Sequence, residues 1–190
     1  MHATPIILAR LMAHAAHATT GQMYGDKPYI HHLTDVVGIL TEFGFTEELA
    51  TQVGYLHDIL EDTRVTPEVL RQTGFSADVV RGVEFCTDEP GENRKTRKAL
   101  TYARVRQDVL AYPNEPWLLA GLAAKWADRI SNLRAATRDN PGLLKMYRKE
   151  WEAFRNAYMP PEFAFGDDVD TTKKWNHIVV EYDRLIGGPA

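Results

Sequence analysis

The stretch GYLHDILEDT, residues 54–63, places four polar side chains among apolar residues on a predicted helix. The four are one histidine and three acids, namely His57, Asp58, Glu61 and Asp62. Successive helical residues are rotated by ~100°, so these side chains share an arc of about 140° while Leu56, Ile59 and Leu60 face the core. Acids at this spacing repel one another, and the stretch contains no lysine or arginine. A bound cation is the simplest explanation, because histidine nitrogen and aspartate oxygen are donors that divalent transition metals accept.

Two adjacent ligands do not complete a coordination sphere, so further donors are expected from other helices. His31 and His32 open the second predicted helix, and Asp128 lies in AAKWADRISNLR, residues 123–134. Each piece taken alone is more commonly structural: an Asp–Lys pair at i,i+3 is usually a surface salt bridge, and a His-Asp dipeptide is common by chance. Together, His…His-Asp…Asp is a candidate ligand set spread over three helices.

The apolar positions recur at spacings of three and four along the whole chain, which predicts an all-α fold. We expect a single helical bundle of about eight to ten helices over 1–190, with core motifs in 9–155 and a C-terminal loop and helix in 159–187. Predicted helices include about 5–17, 29–44, 46–60, 117–137, 143–158 and 173–186. Residues 18–27 and 159–172 are predicted to be loops, and the second of these is interpreted as an ordinary surface loop and not a lid.

Composition narrows the class of protein further. The chain has 190 residues, of which 44% are hydrophobic, and this suits one globular domain with a real core. A formal net charge of −4 argues against nonspecific nucleic-acid binding, and no apolar run approaches the ~20 residues of a membrane helix. The single cysteine, Cys86, is expected to be a small buried hydrophobe, and its lack of a disulfide partner predicts a cytoplasmic protein.

Three segments resemble the HD-domain metal-dependent phosphohydrolases. YIHH at 29–32, LHDILEDT at 56–63 and KWADRISNLR at 125–134 are similar to the patterns YIxHP, LHDxxEDT and KLADRLxNxR. These patterns belong to the hydrolase domain of RelA/SpoT proteins and to the small alarmone hydrolases, including metazoan SpoT homologues. Members of that family hydrolyse the 3′-pyrophosphate of ppGpp and pppGpp, releasing pyrophosphate and GDP or GTP.

The resemblance implies roles for individual residues. His32, His57, Asp58 and Asp128 would bind one Mn²⁺, and Glu61 and Asp62 would position and deprotonate the attacking water. Asn132 matches an asparagine near the ribose, while Lys125 and Arg129 would act electrostatically on Asp128 and the phosphates. Arg94 and Lys95, in the basic run NRKTRK, would receive the distal phosphates; a solvated helix start explains that run equally well.

The loop before the second helix departs from the family pattern. Alarmone hydrolases typically read GQxRKSGEP there, whereas this chain reads GQMYGDKP, so Met23 and Tyr24 replace an Arg-Lys pair. Lys27 is the remaining basic residue of the loop, and Tyr24 is a candidate to stack on a base. The departure concerns the substrate and leaves the metal ligands unchanged.

Three hypotheses follow for function. The first is hydrolysis of (p)ppGpp with Mn²⁺ as cofactor. The second is hydrolysis of another small-molecule nucleotide, such as the 2′-phosphate of NADPH or a dNTP. The third is a non-catalytic HD module that binds a nucleotide, which the presence of all six metal and acid residues disfavours.

Overall fold

The computed structural model describes residues 4–161, 163 and 169–187, and it confirms the all-α class. Within those residues, ten helices and one two-stranded hairpin follow one another along the chain. They are α1 (Pro5–Thr20), β1 (Met23–Tyr24), β2 (Lys27–Pro28), α2 (Ile30–Glu42), α3 (Glu48–Leu56), α4 (Ile59–Asp62), α5 (Pro67–Thr73), α6 (Ala77–Cys86), α7 (Arg94–Ala111), α8 (Pro116–Asp139), α9 (Pro141–Tyr158) and α10 (Val169–Ile186).

Helix α8 is the centre of the bundle. It packs against α2, α3, α6, α9 and α10, and its side chains from Leu122 to Ala124 are fully buried together with Trp126. Close approach of α6 depends on Gly121, because a Cβ at that position would lie 2.6 Å from Cδ1 of Phe85. A helix enclosed on so many sides holds its polar residues in fixed positions, which suits a helix that carries Asp128.

Several predicted helix ends are confirmed by hydrogen bonds. The hydroxyls of Thr66 and Ser76 accept from the backbone N–H groups of Val69 and Val79, so each caps its helix as its sequence position predicted. Helix α5 ends at Thr73 and is capped by Gly74, whose φ of +99° is the left-handed conformation that glycine adopts without strain. The caps at Thr66, Gly74 and Ser76 thus fix where the short helices α5 and α6 begin and where α5 ends.

The prediction of one continuous helix over 46–60 is wrong. Helix α3 begins after Glu47, not Thr46, and ends at Leu56; His57 and Asp58 form a turn before α4 begins at Ile59. The break occurs where Nδ1 of His57 lies 2.8 Å from the carbonyl oxygen of Gly54 and satisfies a group that the helix end leaves open. The His-Asp step therefore lies at a junction between two helices and not along one helical face.

The segment 18–27, predicted as a loop, is partly regular. Helix α1 continues to Thr20, and β1 pairs antiparallel with β2, with Tyr24 opposite Lys27. This small hairpin carries Tyr24 toward α2 and α8. Residues 162 and 164–168 of the predicted C-terminal loop lie outside the described residues, so its interpretation as an ordinary loop stays a prediction, as does the single-domain span of 1–190.

Two further observations concern the described part of the chain. None of its helices combines the length and the apolar character that crossing a membrane requires. Cys86 is fully buried, and burial raises the pKa of its thiol to about 12, so it behaves as a small hydrophobe.

Candidate metal centre

Four donor side chains from three parts of the fold converge on one point. His32 comes from α2, His57 and Asp58 from the α3–α4 junction, and Asp128 from α8. One ligand atom from each lies within 4.8 Å of every other, and His32 and His57 are almost completely buried. The structure thus brings together all four side chains that the sequence nominated as metal ligands.

His57 is oriented with a nitrogen facing the carboxylates. Its Nδ1 donates to the carbonyl oxygen of Gly54, which can only accept, so Nε2 is the ring nitrogen that a cation could bind in place of a proton. That Nε2 lies 2.9 Å from Oδ2 of Asp58 and 3.7 Å from Oδ1 of Asp128. A buried nitrogen this close to two carboxylates has the geometry of a ligand that could share a cation with them.

The second histidine approaches from α2. The Nε2 of His32 lies 3.2 Å from Oδ1 of Asp128 and 3.8 Å from Oδ2 of Asp58, while its Nδ1 lies 3.2 Å from Oγ of Ser131. Two imidazole nitrogens and two carboxylate oxygens form a mixed donor set. Such a set suits a divalent transition metal better than Mg²⁺ or Ca²⁺, which prefer oxygen ligands.

The pKa values of the ligand side chains show that the centre stabilises positive charge. Burial opposes the protonated form of His57, but the carboxylates of Asp58 and Asp128 outweigh it and raise its pKa to about 10. Burial likewise opposes ionisation of Asp58 and Asp128, yet their pKa values are held below the usual range, that of Asp58 mainly by His57 and that of Asp128 mainly by Lys125. Two buried carboxylates that stay ionised make a centre that a dication would neutralise.

The acidic pair on α4 is held by hydrogen bonds from other elements. Oε1 of Glu61 accepts from the backbone N–H of Asp88 at 2.7 Å, and Oδ2 of Asp62 accepts from Nε2 of Gln22 at 2.6 Å. Desolvation raises the pKa of Glu61, and Lys125 opposes that rise. A carboxyl with a raised pKa is better matched to proton transfer near neutral pH than an ordinary surface glutamate.

Several residues around the centre were not identified from the sequence. The hydroxyl of Tyr29 donates to Oδ2 of Asp58 at 2.5 Å, and the ring of His17 lies against that of Tyr29, with centroids 4.6 Å apart. Nδ1 of His17 lies 2.5 Å from Oε1 of Gln22, the side chain that also holds Asp62. Tyr29 belongs to the YIHH segment, so its position one turn before His32 was the available signal.

The predicted nucleoside contacts lie beside the centre. Tyr24 stacks on the ring of His32 with centroids 4.6 Å apart, and its hydroxyl lies 3.3 Å from Oδ1 of Asn132. Nδ2 of Asn132 donates to Oδ1 of Asp128 at 2.6 Å. Tyr24, Lys27 and Asn132 line a cavity of about 490 Å³.

The predicted phosphate-binding cations have different surroundings. Lys125 is buried with its Nζ 3.5 Å from Oδ2 of Asp128, whereas Arg94 forms two hydrogen bonds of 2.8 and 2.9 Å to the carboxylate of Glu150. Lys95 is exposed on the first turn of α7.

Arg129 is directed toward α9, where it lies 3.2 Å from Glu150 and over the rings of Tyr147 and Phe154. Its surroundings are those of a buried structural cation. The assignments of Arg94, Lys95, Lys125 and Arg129 as substrate contacts stay predictions.

The helical bundle and its His/Asp cluster fit the architecture of an HD-domain metal site. Among solved structures, the chain is similar to a metazoan ortholog of SpoT that hydrolyzes ppGpp and plays a role in starvation responses. The two share 19% sequence identity and superpose with a TM-score of 0.68 over 95% of this chain and 97% of the other. No family model and no curated protein sequence matches the chain. The resemblance predicted from the motifs is therefore confirmed for the fold.

Proposed function

We propose that this protein is a metal-dependent phosphohydrolase that acts on a phosphorylated nucleotide and uses Mn²⁺. The observation that carries the proposal is the cluster of His32, His57, Asp58 and Asp128, whose ligand atoms lie within 4.8 Å of one another. When bound, a divalent cation supplies Lewis acidity, which polarises a phosphate oxygen and makes a water molecule more acidic. The shared fold with a ppGpp hydrolase supports the same reaction class.

The side chains around the metal ligands have separate roles in the proposed reaction. Glu61 accepts a proton from the attacking water, a role that its raised pKa and its fixed hydrogen bond to the Asp88 backbone support. Asp62, held by Gln22, orients that water. Lys125 keeps Asp128 ionised and adds positive charge near the phosphate in the transition state.

We propose (p)ppGpp as the first candidate substrate. Water attacks the phosphorus next to the ribose 3′-oxygen, the ester bond to that oxygen breaks, and pyrophosphate and GDP or GTP are released. The cavity of about 490 Å³ beside Asn132 has room for part of a nucleoside next to the cation. The motif resemblance and the related fold support this choice of substrate.

A second candidate is another nucleotide with fewer phosphates, such as NADPH or a dNTP. Two observations favour it. Met23 and Tyr24 stand where alarmone hydrolases have two cations, and the guanidinium of Arg94 is already paired with Glu150. A site with fewer unpaired cations stabilises a highly charged substrate less well.

A substrate panel tests the proposal. Purified protein with Mn²⁺ is offered ppGpp, NADPH and a mixture of dNTPs, and the release of pyrophosphate and of phosphate is measured, with Asp58→Ala as the matched inactive control. Pyrophosphate released from ppGpp by the parent alone supports the first candidate, whereas turnover of only NADPH or the dNTPs supports the second. A protein that binds Mn²⁺ but turns over none of them is a binding module, and the hydrolase proposal then fails.

A further inference from the structure

We propose that Ser131 and Asp35 are positioning residues of the metal centre, which together hold His32 with its Nε2 directed at the cation. This inference rests on the proposed function, because it assigns a role toward the metal of that site. It concerns side chains outside the ligand set and outside the acidic pair.

Ser131 connects His32 to Asp35 through two successive side-chain contacts. Oγ of Ser131 lies 3.2 Å from Nδ1 of His32 and 2.9 Å from Oδ2 of Asp35. Ser131 is buried at 1% exposure on α8, one helical turn from Asp128, whereas Asp35 is exposed on α2, one turn from His32. The serine therefore links the two helices that supply His32 and Asp128.

The direction of each proton follows from the donors and acceptors. An ionised Asp35 can only accept, so the single hydroxyl proton of Ser131 is donated to it. The serine oxygen is left as an acceptor toward His32, whose Nδ1 must then carry the proton. Nε2 of His32 is consequently the nitrogen with the lone pair, and it is the nitrogen that faces Asp58 and Asp128.

The two ligand histidines are oriented by different means. His57 donates to the backbone carbonyl of Gly54, a bond that no side-chain substitution removes. The ring of His32 is held by the side chains of Ser131 and Asp35 instead, so substitution of either residue can change its orientation. Partners of this kind fix the tautomer and ring position of a ligating histidine, and their loss typically lowers metal affinity ~10–100-fold.

The test uses two variants and one matched control. Mn²⁺ affinity is measured by electron paramagnetic resonance for the parent, Ser131→Ala, Asp35→Asn and Asp139→Asn. Asp139 also lies at the wall of the cavity beside Asp35, but no hydrogen bond joins it to Ser131, so it controls for the loss of one acidic charge. We expect a dissociation constant ~100-fold higher for Ser131→Ala, ~10-fold higher for Asp35→Asn, and within twofold of the parent for Asp139→Asn.

A spectroscopic measurement separates positioning from a general effect on folding. In the chain loaded with diamagnetic Zn²⁺, the Nδ1 proton of His32 should give a downfield, slowly exchanging NMR signal, which disappears in Ser131→Ala while the Nδ1 signal of His57 persists. Unchanged Mn²⁺ affinity in both variants, an equal loss in Asp139→Asn, or a persistent His32 signal in Ser131→Ala would overturn the inference. Because none of these readouts is turnover, a failed substrate panel leaves the result intact.

Discussion

The charged side chains of the metal centre and those at the start of α7, Arg94 and Lys98, have different surroundings. At the centre, one ligand atom from each of two histidines and two aspartates lies within 4.8 Å of every other, and the carboxylates stay ionised although they are buried. On α7, each cation with a described partner is satisfied by protein: Arg94 pairs with Glu150, and Lys98 pairs with Asp88 at 2.8 Å. Imidazole nitrogens and carboxylates that converge on one point indicate a cation site, whereas ion pairs between cationic and acidic side chains indicate a structural role. The difference predicts that substitutions in the first region abolish activity and that those in the second lower stability.

The largest effect is expected from Asp58→Ala. This change removes one of four ligands and leaves the hydroxyl of Tyr29 without its acceptor. Mn²⁺ binding should weaken strongly and turnover should fall to background, because the change removes one of only two carboxylates and its negative charge from the donor set. Isothermal titration with Mn²⁺ and the turnover assay check this result, with circular dichroism to confirm the fold. Turnover at more than a tenth of the parent level would contradict the assignment of Asp58.

Glu61→Gln should separate metal binding from catalysis. The amide keeps an oxygen that can accept from the N–H of Asp88, so the position of the side chain is retained while its capacity to take a proton is lost. We expect kcat to fall ~10²–10⁴-fold with Mn²⁺ affinity within twofold of the parent. If kcat is unchanged, Glu61 is not the proton acceptor, and Asp62→Asn becomes the next variant to assay.

Glu150→Gln should reveal the structural role of the second region. The Glu150 carboxylate neutralises both Arg94 and the buried Arg129, so removal of its charge leaves a buried guanidinium without an anion. The free energy of unfolding should drop by ~3 kcal/mol, measured by urea denaturation, while Mn²⁺ affinity stays unchanged.

The matched control for this change is Glu152→Gln, which makes the same substitution at an exposed position of α9. It should alter the unfolding free energy by less than ~0.5 kcal/mol. Equal stability of the two variants would mean that the Arg94 and Arg129 pairs contribute little, and would return both arginines to the list of candidate phosphate ligands.

The parts of the fold and site that sequence predicted are those encoded locally. Helix caps at Thr66 and Ser76 depend on neighbours three residues away, and the three motifs nominated His32, His57, Asp58 and Asp128 by residue type and spacing. Apolar periodicity runs unbroken from α3 into α4, so it gave no sign of the turn at His57 and Asp58. That turn depends on a side chain that bonds to the preceding backbone, which a periodic pattern does not record.

The parts that sequence missed depend on pairs far apart in the chain. Ser131 and Asp35 are separated by 96 residues, and Glu150 lies 56 residues from Arg94. No spacing rule joins such residues before α2, α7, α8 and α9 are packed together. The basic run at the start of α7 looked equally suited to a phosphate or to solvent, and packing supplied a partner, Glu150, that neither interpretation included.

The smallest effect is expected from Asp88→Asn, and it depends on pH. Burial acts to raise the pKa of Asp88, but Lys98 outweighs it, so the pKa lies below its ordinary value in the folded protein. A carboxyl whose pKa is lowered in the folded protein stabilises the fold above its unfolded pKa of ~3.9, and that contribution is lost as the pH falls through the folded pKa.

The Asp88→Asn variant should therefore be ~1 kcal/mol less stable than the parent at pH 7, and the difference in unfolding free energy should shrink below about pH 4. Urea unfolding across this range measures it, with Asp26→Asn as a control for the loss of one acidic charge at an exposed position. A constant difference at all pH values would mean that the ion pair with Lys98 is not the source of the stability.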